Sequence, residues 1–271
     1  MRTSLKYREG LVEARRIVIK IGTRVLVRST GQPDMRRMRA LAKDIASLNR
    51  RGYEVAMVTS GAIGAGMEAL GMQNRPSALP DLQMAAAVGQ SRLMARYDKL
   101  FAAEKCLVGQ VLLTRDDFLH KVRLTNARRT IANLLRNKVI PIINENDVVA
   151  DEEIRADLSL GDNDRLSALL VRLIQADLLI MLSTVDGVRS PLKSGATARI
   201  RYLEAITRST FKVVTGGQNE LSRGGMASKL QAAQMVSRAG VGVVIADGKR
   251  PGIIDQIVRG EDVGTFILPS V

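Results

Sequence analysis

The sequence has 271 residues, of which 46% are hydrophobic, and its formal net charge is +14, so it can build a sizeable core and is not a disordered chain. One cysteine, Cys106, and one histidine, His120, exclude an internal disulfide and an ordinary zinc site. No apolar stretch reaches the roughly 18–20 residues of a membrane span and no signal peptide is visible, so we expect a cytoplasmic protein with no membrane partner.

Short apolar strands alternate with helices along the chain. The run 16–21 predicts the first strand, and apolar residues at helical spacing in 35–49 predict the first long helix. Further strands are predicted at 53–58, 107–113, 139–143, 178–182, 241–246 and 264–267, the last as an edge strand. Further helices are predicted at 62–70, 81–103, 125–137, 166–175, 226–239 and 252–258.

This alternation is typical of a parallel sheet with right-handed crossovers. We therefore predict an α/β fold, a three-layer αβα sandwich with a mainly parallel central sheet. No repeat or composition break divides residues 1–271, and segments 151–157 and 189–199 are interpreted as surface excursions within one domain.

Ligands of open parallel sheets bind beyond the carboxyl ends of the strands, so the polar residues there are candidate site residues. Gly22 and Gly61 each follow a strand and could donate backbone N–H groups to a phosphate, although ordinary strand-to-helix turns would look the same. Lys20 lies in an otherwise apolar strand, where it either reaches an anion or extends its charged end to solvent.

Two strings of acidic and amide residues are also candidate site residues. Residues 144–147, Asn-Glu-Asn-Asp, come directly after a strand, and residues 161–164, Gly-Asp-Asn-Asp, come just before a helix. Such side chains cap helices and make turns, but together they could also bind an ammonium group, a magnesium ion or a lysine. Further on, Gly224 and Gly225 precede a helix that carries Lys229 early, either as a phosphate-facing cation or as a solvent-exposed lysine.

Two lysines, two glycine turns and two acidic strings suit phosphoryl transfer, which requires positioning and positive charge around the moving group. These motifs resemble the amino-acid-kinase family, and within it the branch that phosphorylates glutamate. The resemblance spans about residues 16–267 and is carried by the following segments: 18–23, 58–63, 87–91, 112–115, 143–147, 161–164, 224–229 and 238–240.

The resemblance implies ATP-dependent phosphorylation of the glutamate side-chain carboxylate, the first step of proline biosynthesis. The implied catalytic residues are Lys20, Lys229 and Asp164, and the implied glutamate-binding residues are Ser60, Asp147, Asp162 and Asn163. The implied ATP- and phosphate-binding residues are Lys20, Gly22, Gly61, Ser183, Thr184, Gly224, Gly225, Met226 and Lys229. Magnesium would be held mainly by ATP and not by a protein site.

The family also implies a homo-oligomer, feedback inhibition by proline and a reductase that takes the glutamyl phosphate. An N-terminal lobe of about residues 15–175 would bind glutamate, and a C-terminal lobe of about 176–268 would bind ATP. Thr184 stands where the family usually has an aspartate. Many bacterial members carry a PUA domain after the kinase domain; this sequence ends just past the kinase domain, so we expect none.

Three alternatives stay open at the level of sequence. A sister kinase would act on another carboxylate, a carbamate or a nucleotide. A catalytically weak regulatory or nucleic-acid-binding protein would use the net charge of +14 to bind a phosphate backbone. The 41 Lys and Arg residues are, however, spread along the chain without stacking aromatics, so we expect no nucleic-acid partner. A purely structural domain would leave the polar strings unexplained.

Overall fold

The computed structural model describes residues 7–28, 32–149, 162–192, 196–215 and 225–270. Its strands are β1 (Arg16–Ile21), β2 (Glu54–Val58), β3 (Val108–Leu113), β4 (Ile140–Glu145), β5 (Leu178–Ser183), β6 (Arg189–Pro191), β7 (Thr197–Arg199), β8 (Tyr202–Leu203), β9 (Gly242–Asp247) and β10 (Thr265–Ile267). Its α-helices are α1 (Thr23–Leu26), α2 (Met35–Arg50), α3 (Ala62–Ala69), α4 (Leu79–Ala103), α5 (Arg115–Leu119), α6 (Lys121–Arg136), α7 (Asp162–Ile174), α8 (Arg208–Thr215), α9 (Met226–Arg238) and α10 (Ile253–Val258). A 3-10 helix covers Arg8–Glu13.

The chain divides into two compact units. The first unit contains Met1–Lys20 and Asp157–Val271, and the second contains Ile21–Ala156. In the second unit β2 and β3 both pair in parallel with β4. In the first unit the strand order is β1-β5-β9-β10-β8, with β5 parallel to β9.

The central strands are buried because both of their faces are covered. Every residue of β5 is buried except Ser183, and every residue of β1 is buried except Arg16. Continuous aliphatic runs of this kind are typical of parallel strands with helices on both sides. Lys20 is therefore a charged side chain within a buried strand.

Helix α2 shows how the local sequence sets a boundary. Asp34 precedes the helix and its carboxylate accepts a hydrogen bond from the Arg37 backbone N–H at 3.1 Å, so it caps the first turn. The buried side chains follow at helical spacing: Met38, Leu41, Ala42, Ile45 and Leu48.

Strand β10 is not an edge strand, so that prediction is wrong. It pairs antiparallel with β9 and, on its other side, in parallel with β8. The two-residue strand β8 was missed because it is too short to show a periodicity. The segment predicted as a surface excursion at 189–199 contains the exposed hairpin β6–β7, and the segment at 151–157 lies outside the described residues.

Three helices begin earlier than predicted, α4 by two residues and α6 and α7 by four each. Helix α6 begins at Lys121, and its first turn was missed because its apolar residues, Val122 and Leu124, are two positions apart and show no helical spacing. Helix α7 begins at Asp162, so residues 162–164 form its first turn and do not precede it. Acidic residues are favourable there, since the amino end of a helix carries partial positive charge.

Arg8 joins the N-terminal segment to the last strand of the first unit. Its side chain is almost fully buried, at 1% exposure. The guanidinium donates hydrogen bonds to the backbone carbonyls of four residues, Arg201, Glu261, Val263 and Gly264. Because the planar guanidinium group offers several donors in a fixed arrangement, one side chain can bind all four carbonyls.

Helices α3 and α4 of the second unit approach closely through glycine. A Cβ atom added to Gly89 would lie 1.7 Å from the Ala62 carbonyl oxygen, and one added to Gly66 would lie 1.8 Å from that of Ala85. Backbone atoms cannot move aside at these distances without moving a helix. This contact therefore fixes α3, whose amino end follows Ser60 and Gly61.

We expect Gly89→Ala to lower the free energy of unfolding by about 3 kcal/mol, because the added methyl group overpacks the helix contact. The matched control is Gly64→Ala on α3, where an added Cβ meets nothing within 4 Å. That variant should be neutral or more stable by about 0.5–1 kcal/mol, since alanine favours helix. Urea unfolding of both variants measures the difference, and equal stabilities would contradict the packing argument.

Candidate active site

The candidate residues form two groups, one in each unit. The first unit contains Lys20, Asp164 and Lys229, which the structure brings into direct contact; we call them the lysine–aspartate cluster. The second unit contains Gly22, Ser60, Gly61 and Asp147.

Asp164 links the two lysines of the cluster. Its Oδ1 atom forms an ion pair with Lys20 Nζ, and its Oδ2 atom lies 3.3 Å from Lys229 Nζ. Asp164 is 1% exposed, and each lysine is 6% exposed. Neither lysine extends to solvent, so the solvent-exposed alternatives considered for them are wrong.

The elements of the first unit explain why these three side chains meet. Lys20 is the fifth residue of β1, Asp164 lies in the first turn of α7, and Lys229 lies in the first turns of α9. Gly225 is the residue before α9, in an extended conformation, and Met226 begins the helix; both are half-buried. The cluster thus lies where one strand and the amino ends of two helices converge.

The charges of the cluster do not cancel. Burial alone would raise the pKa of Asp164, but the Lys20 and Lys229 charges and hydrogen bonds from Lys20 and Ser228 outweigh it, so this pKa is lowered. Burial lowers the pKa of Lys20, against the opposing effect of Asp164. With both lysines protonated, two positive charges face one carboxylate, and a buried net charge of this sign favours an incoming anion.

Ser228 also contacts the Asp164 carboxylate, and the sequence analysis missed it. Its Oγ donates a hydrogen bond to Asp164 Oδ2 at 2.8 Å. A serine in the first turn of a helix is common as a local cap, so its identity alone carried no signal. The available hint was its position directly before Lys229 and after two glycines.

In the second unit, Ser60 and Gly61 form a shaped turn after β2. Ser60 Oγ lies 2.8 Å from Thr23 Oγ1, and Gly61 has a φ of 109°, which favours glycine. The preceding residue, Thr59, is held by a 2.7 Å hydrogen bond between its Oγ1 and the buried hydroxyl of Tyr97. The turn is therefore fixed from both α1 and α4.

Asp147 and Asn144 lie at the end of β4. Asp147 is half-buried, and burial raises its pKa to about 6 although the positive charge of Arg75 opposes the shift. Asn144 is buried and donates its amide Nδ2 to Gln90 Oε1 at 2.9 Å. Asn144 is thus tied to α4, whereas Asp147 keeps partial access to solvent.

The remaining candidates are placed as follows. Ser183 ends β5 and Thr184 follows it, and both are half-buried. Asn163 is half-buried in the first turn of α7. Asp162 begins that helix, but its side chain lies outside the described part of the chain, as does Gly224.

Within the described residues, no group of three or more His, Cys, Asp and Glu side chains is placed to hold a metal ion. The Asp164 carboxylate is already engaged by two lysines and a hydroxyl, so it does not offer two free oxygens to a cation. No described helix is both long and apolar enough to cross a membrane.

Comparison with known proteins identifies the class. Residues 15–247 match the family model of the amino acid kinase family, and the chain belongs to that family. Its relatives include the glutamate 5-kinase of Moorella thermoacetica, 44% identical over 98% of this chain and 70% of the relative. The glutamate 5-kinase of Clostridium tetani is 39% identical over 96% of both chains. The predicted resemblance to the glutamate-phosphorylating branch is therefore confirmed.

Solved structures agree on the fold. Carbamate kinase from Giardia lamblia bound to AMP-PNP superimposes with a TM-score of 0.63 at 18% identity, covering 96% of this chain and 100% of that chain. UMP kinase from Bacillus anthracis gives a TM-score of 0.62 at 17% identity, covering 95% and 97%. The predicted α/β fold with a mainly parallel sheet is confirmed.

Proposed function

We propose that this chain transfers the γ-phosphoryl group of ATP to the side-chain carboxylate of L-glutamate. The products are ADP and L-glutamyl 5-phosphate, the first intermediate of proline biosynthesis. The observation that carries the proposal is the buried lysine–aspartate cluster with its excess positive charge, in a chain whose relatives at 39–44% identity are named glutamate 5-kinase.

In the proposed reaction a glutamate carboxylate oxygen attacks the γ-phosphorus, and the bond to the ADP oxygen breaks. Negative charge accumulates on the phosphoryl and leaving oxygens, and fixed cations stabilise it. We assign this role to Lys20 and Lys229, while Asp164 orients them. Magnesium, held mainly by the ATP phosphates, would neutralise further charge; no protein ligand is proposed for it.

The substrate roles are assigned residue by residue. Ser60, Asp147 and Asn163 are proposed to bind glutamate, with Asp162 near its amino group. Backbone N–H groups of the glycine turns and the segment around Ser183 and Thr184 are proposed to bind ATP and its phosphates, together with the following residues: Gly22, Gly61, Gly224, Gly225 and Met226. The lobes at about 15–175 and 176–268 are proposed to bind glutamate and ATP, respectively.

We further propose that the protein is a cytoplasmic homo-oligomer, that proline inhibits it, and that a reductase takes its product. An acyl phosphate is labile in water, so the chemistry favours rapid consumption by a second enzyme. These properties rest on the family resemblance.

The proposed function is tested by ATP turnover with magnesium and hydroxylamine, which traps an acyl phosphate as a coloured hydroxamate. Glutamate, aspartate and N-acetylglutamate are compared in parallel. A signal with glutamate alone supports the reaction and the substrate together. A signal with another acid alone would replace glutamate as substrate, and no signal from folded protein would overturn the proposed kinase activity.

We expect the kcat/KM for glutamate to fall as the pH drops below about 6, because kcat/KM reports ionisations of the free enzyme and only the ionised Asp147 carboxylate can bind glutamate as a charged hydrogen-bond acceptor. Above that pH the carboxylate is ionised and the effect disappears. The measurement is a pH profile at saturating ATP.

Two variants separate this effect from the titration of ATP itself. Asp147→Asn should raise the glutamate KM and remove the acidic limb of the profile that Asp147 causes. Asp98→Asn, at an exposed position of α4, should leave both unchanged. If Asp147→Asn showed the same glutamate saturation as the parent chain, Asp147 would not belong to the substrate site.

A further inference from the structure

The Asp164 carboxylate is held by three side chains of two kinds. Lys20 contacts Oδ1 and Lys229 contacts Oδ2 as charged partners. The third partner is the uncharged hydroxyl of Ser228, which donates to Oδ2 at 2.8 Å. Ser228 is 3% exposed and is the third residue of α9, so its short side chain has little freedom.

The hydroxyl proton of Ser228 has two acceptors within reach. Asp164 Oδ2 lies at 2.8 Å and the Gly225 carbonyl oxygen at 2.9 Å. The ionised carboxylate is the stronger acceptor, because hydrogen bonds to charged groups are shorter and stronger than neutral ones. Ser228 therefore ties the carboxylate to the amino end of α9.

The two lysines have competing demands. Under the proposed function they neutralise phosphoryl oxygens during transfer, and every contact made with phosphate weakens their contact with Asp164. A carboxylate held by the lysines alone would lose its position at that moment. The Ser228 hydroxyl is uncharged and is therefore attracted to the phosphate less strongly than the lysine ammonium groups are. Its hydrogen bond to Asp164 persists while the lysines turn toward the phosphate.

We propose that Ser228 is a positioning residue that keeps the Asp164 carboxylate in place while Lys20 and Lys229 engage the phosphoryl group. The inference rests on the proposed function and deepens it. Ser228 touches no reacting atom and acts through Asp164. Its loss should therefore affect turnover more than substrate saturation.

Two other buried serines provide matched controls in the same unit. Ser167 donates to the backbone carbonyl of Asp164 at 2.6 Å and does not contact the carboxylate. Ser237 lies on the same helix as Ser228 and donates to the Leu268 carbonyl at 2.6 Å. Replacing either by alanine removes the hydrogen bonds of a buried hydroxyl, which for Ser237 include a 2.9 Å contact with Ser270 Oγ, without removing the bond to the carboxylate.

The experiment compares kcat, the two KM values and the ¹³C NMR titration of the Asp164 carboxyl for Ser228→Ala, Ser228→Thr, Ser167→Ala and Ser237→Ala, each first checked for folding by thermal melting. We expect Ser228→Ala to lower kcat about tenfold with a nearly unchanged glutamate KM. The Asp164 carboxyl should titrate at higher pH in a ¹³C NMR experiment, because the Ser228 bond is one of the contacts that lower its pKa. Ser228→Thr, which keeps the hydroxyl, should recover most of the rate.

A kcat and an Asp164 titration for Ser228→Ala that equal those of the parent chain would overturn the proposal. So would an equal loss of kcat in Ser167→Ala or Ser237→Ala, which would show a general packing effect. If the parent chain makes no hydroxamate from glutamate, the proposed function fails, and the positioning role is then decided by ¹³C NMR titration of the Asp164 carboxyl. A higher pKa in Ser228→Ala, and not in the controls, would support the role, and equal titrations would reject it.

Discussion

Lys20→Ala and Lys229→Ala should each lower kcat about 10²–10³-fold, the effect of removing one fixed charge from the transition state of a buried site. Each lysine contacts the same buried carboxylate, so neither can move to replace the other without losing Asp164. The loss should appear in kcat and in kcat/KM together, because the contact strengthens as charge develops on the phosphoryl oxygens.

The fold should survive either lysine substitution. The cluster carries two positive charges and one negative charge, so removing one lysine leaves a balanced buried pair and not an isolated charge. Lys43→Ala, on the exposed face of α2, is the control and should keep full activity. Near-normal turnover in both cluster variants would mean that these lysines do not serve the chemistry.

Asp164→Asn should combine a large loss of activity with a large loss of stability. The asparagine amide cannot balance two buried ammonium groups, and breaking a buried ion pair on one side costs about 3–5 kcal/mol. The pKa of Asp164 is lowered, so its carboxylate is ionised across the neutral range, and the stabilising effect of its ionisation is lost only in acid, as the pH falls through that lowered value.

A double variant separates the electrostatic cost from the catalytic role of Asp164. Asp164→Asn combined with Lys20→Met leaves Lys229 as the charged member of the cluster. The cluster then carries one net positive charge, as the native cluster does. We expect the free energy of unfolding to recover in part, as urea titration would show, and the activity to stay lost. A double variant no more stable than Asp164→Asn alone would contradict the charge argument.

The sequence predicts most of this fold because the signals are local. Strand β1 was predicted at its observed bounds, and α2 within one residue, since a buried aliphatic run and a helical apolar stripe each need only neighbouring residues. The β8–β10 pairing joins residues 64 positions apart, such as Tyr202 and Phe266. The hydrogen bonds of Arg8 to backbone carbonyls join residues 193 to 256 positions apart. No periodicity encodes such contacts.

The candidate site likewise combines residues that the local sequence indicates with contacts that only the structure shows. Lys20 was identifiable because a charge interrupts an apolar strand, and Asp164 and Lys229 because they accompany glycines near helix starts. Asp164 and Lys229 are 65 residues apart in the sequence, and only the structure shows that they are in contact. For Ser228 the sequence offers only its position between two glycines and Lys229, because its partner Asp164 lies on another helix.

The proposed phosphoryl transfer is tested most directly by following the carboxylate oxygen that attacks the γ-phosphorus. Glutamate labelled with ¹⁸O in both oxygens of its side-chain carboxylate is incubated with ATP, magnesium and hydroxylamine, and the released phosphate is analysed by mass spectrometry. If the carboxylate attacks phosphorus, its oxygen becomes the bridging atom and leaves with phosphate when hydroxylamine attacks the acyl carbon. We expect one ¹⁸O in each phosphate that accompanies hydroxamate, and no such signal from Lys20→Ala above its residual rate. Unlabelled phosphate from the parent chain would mean that ATP is hydrolysed by water and that glutamate is not the acceptor.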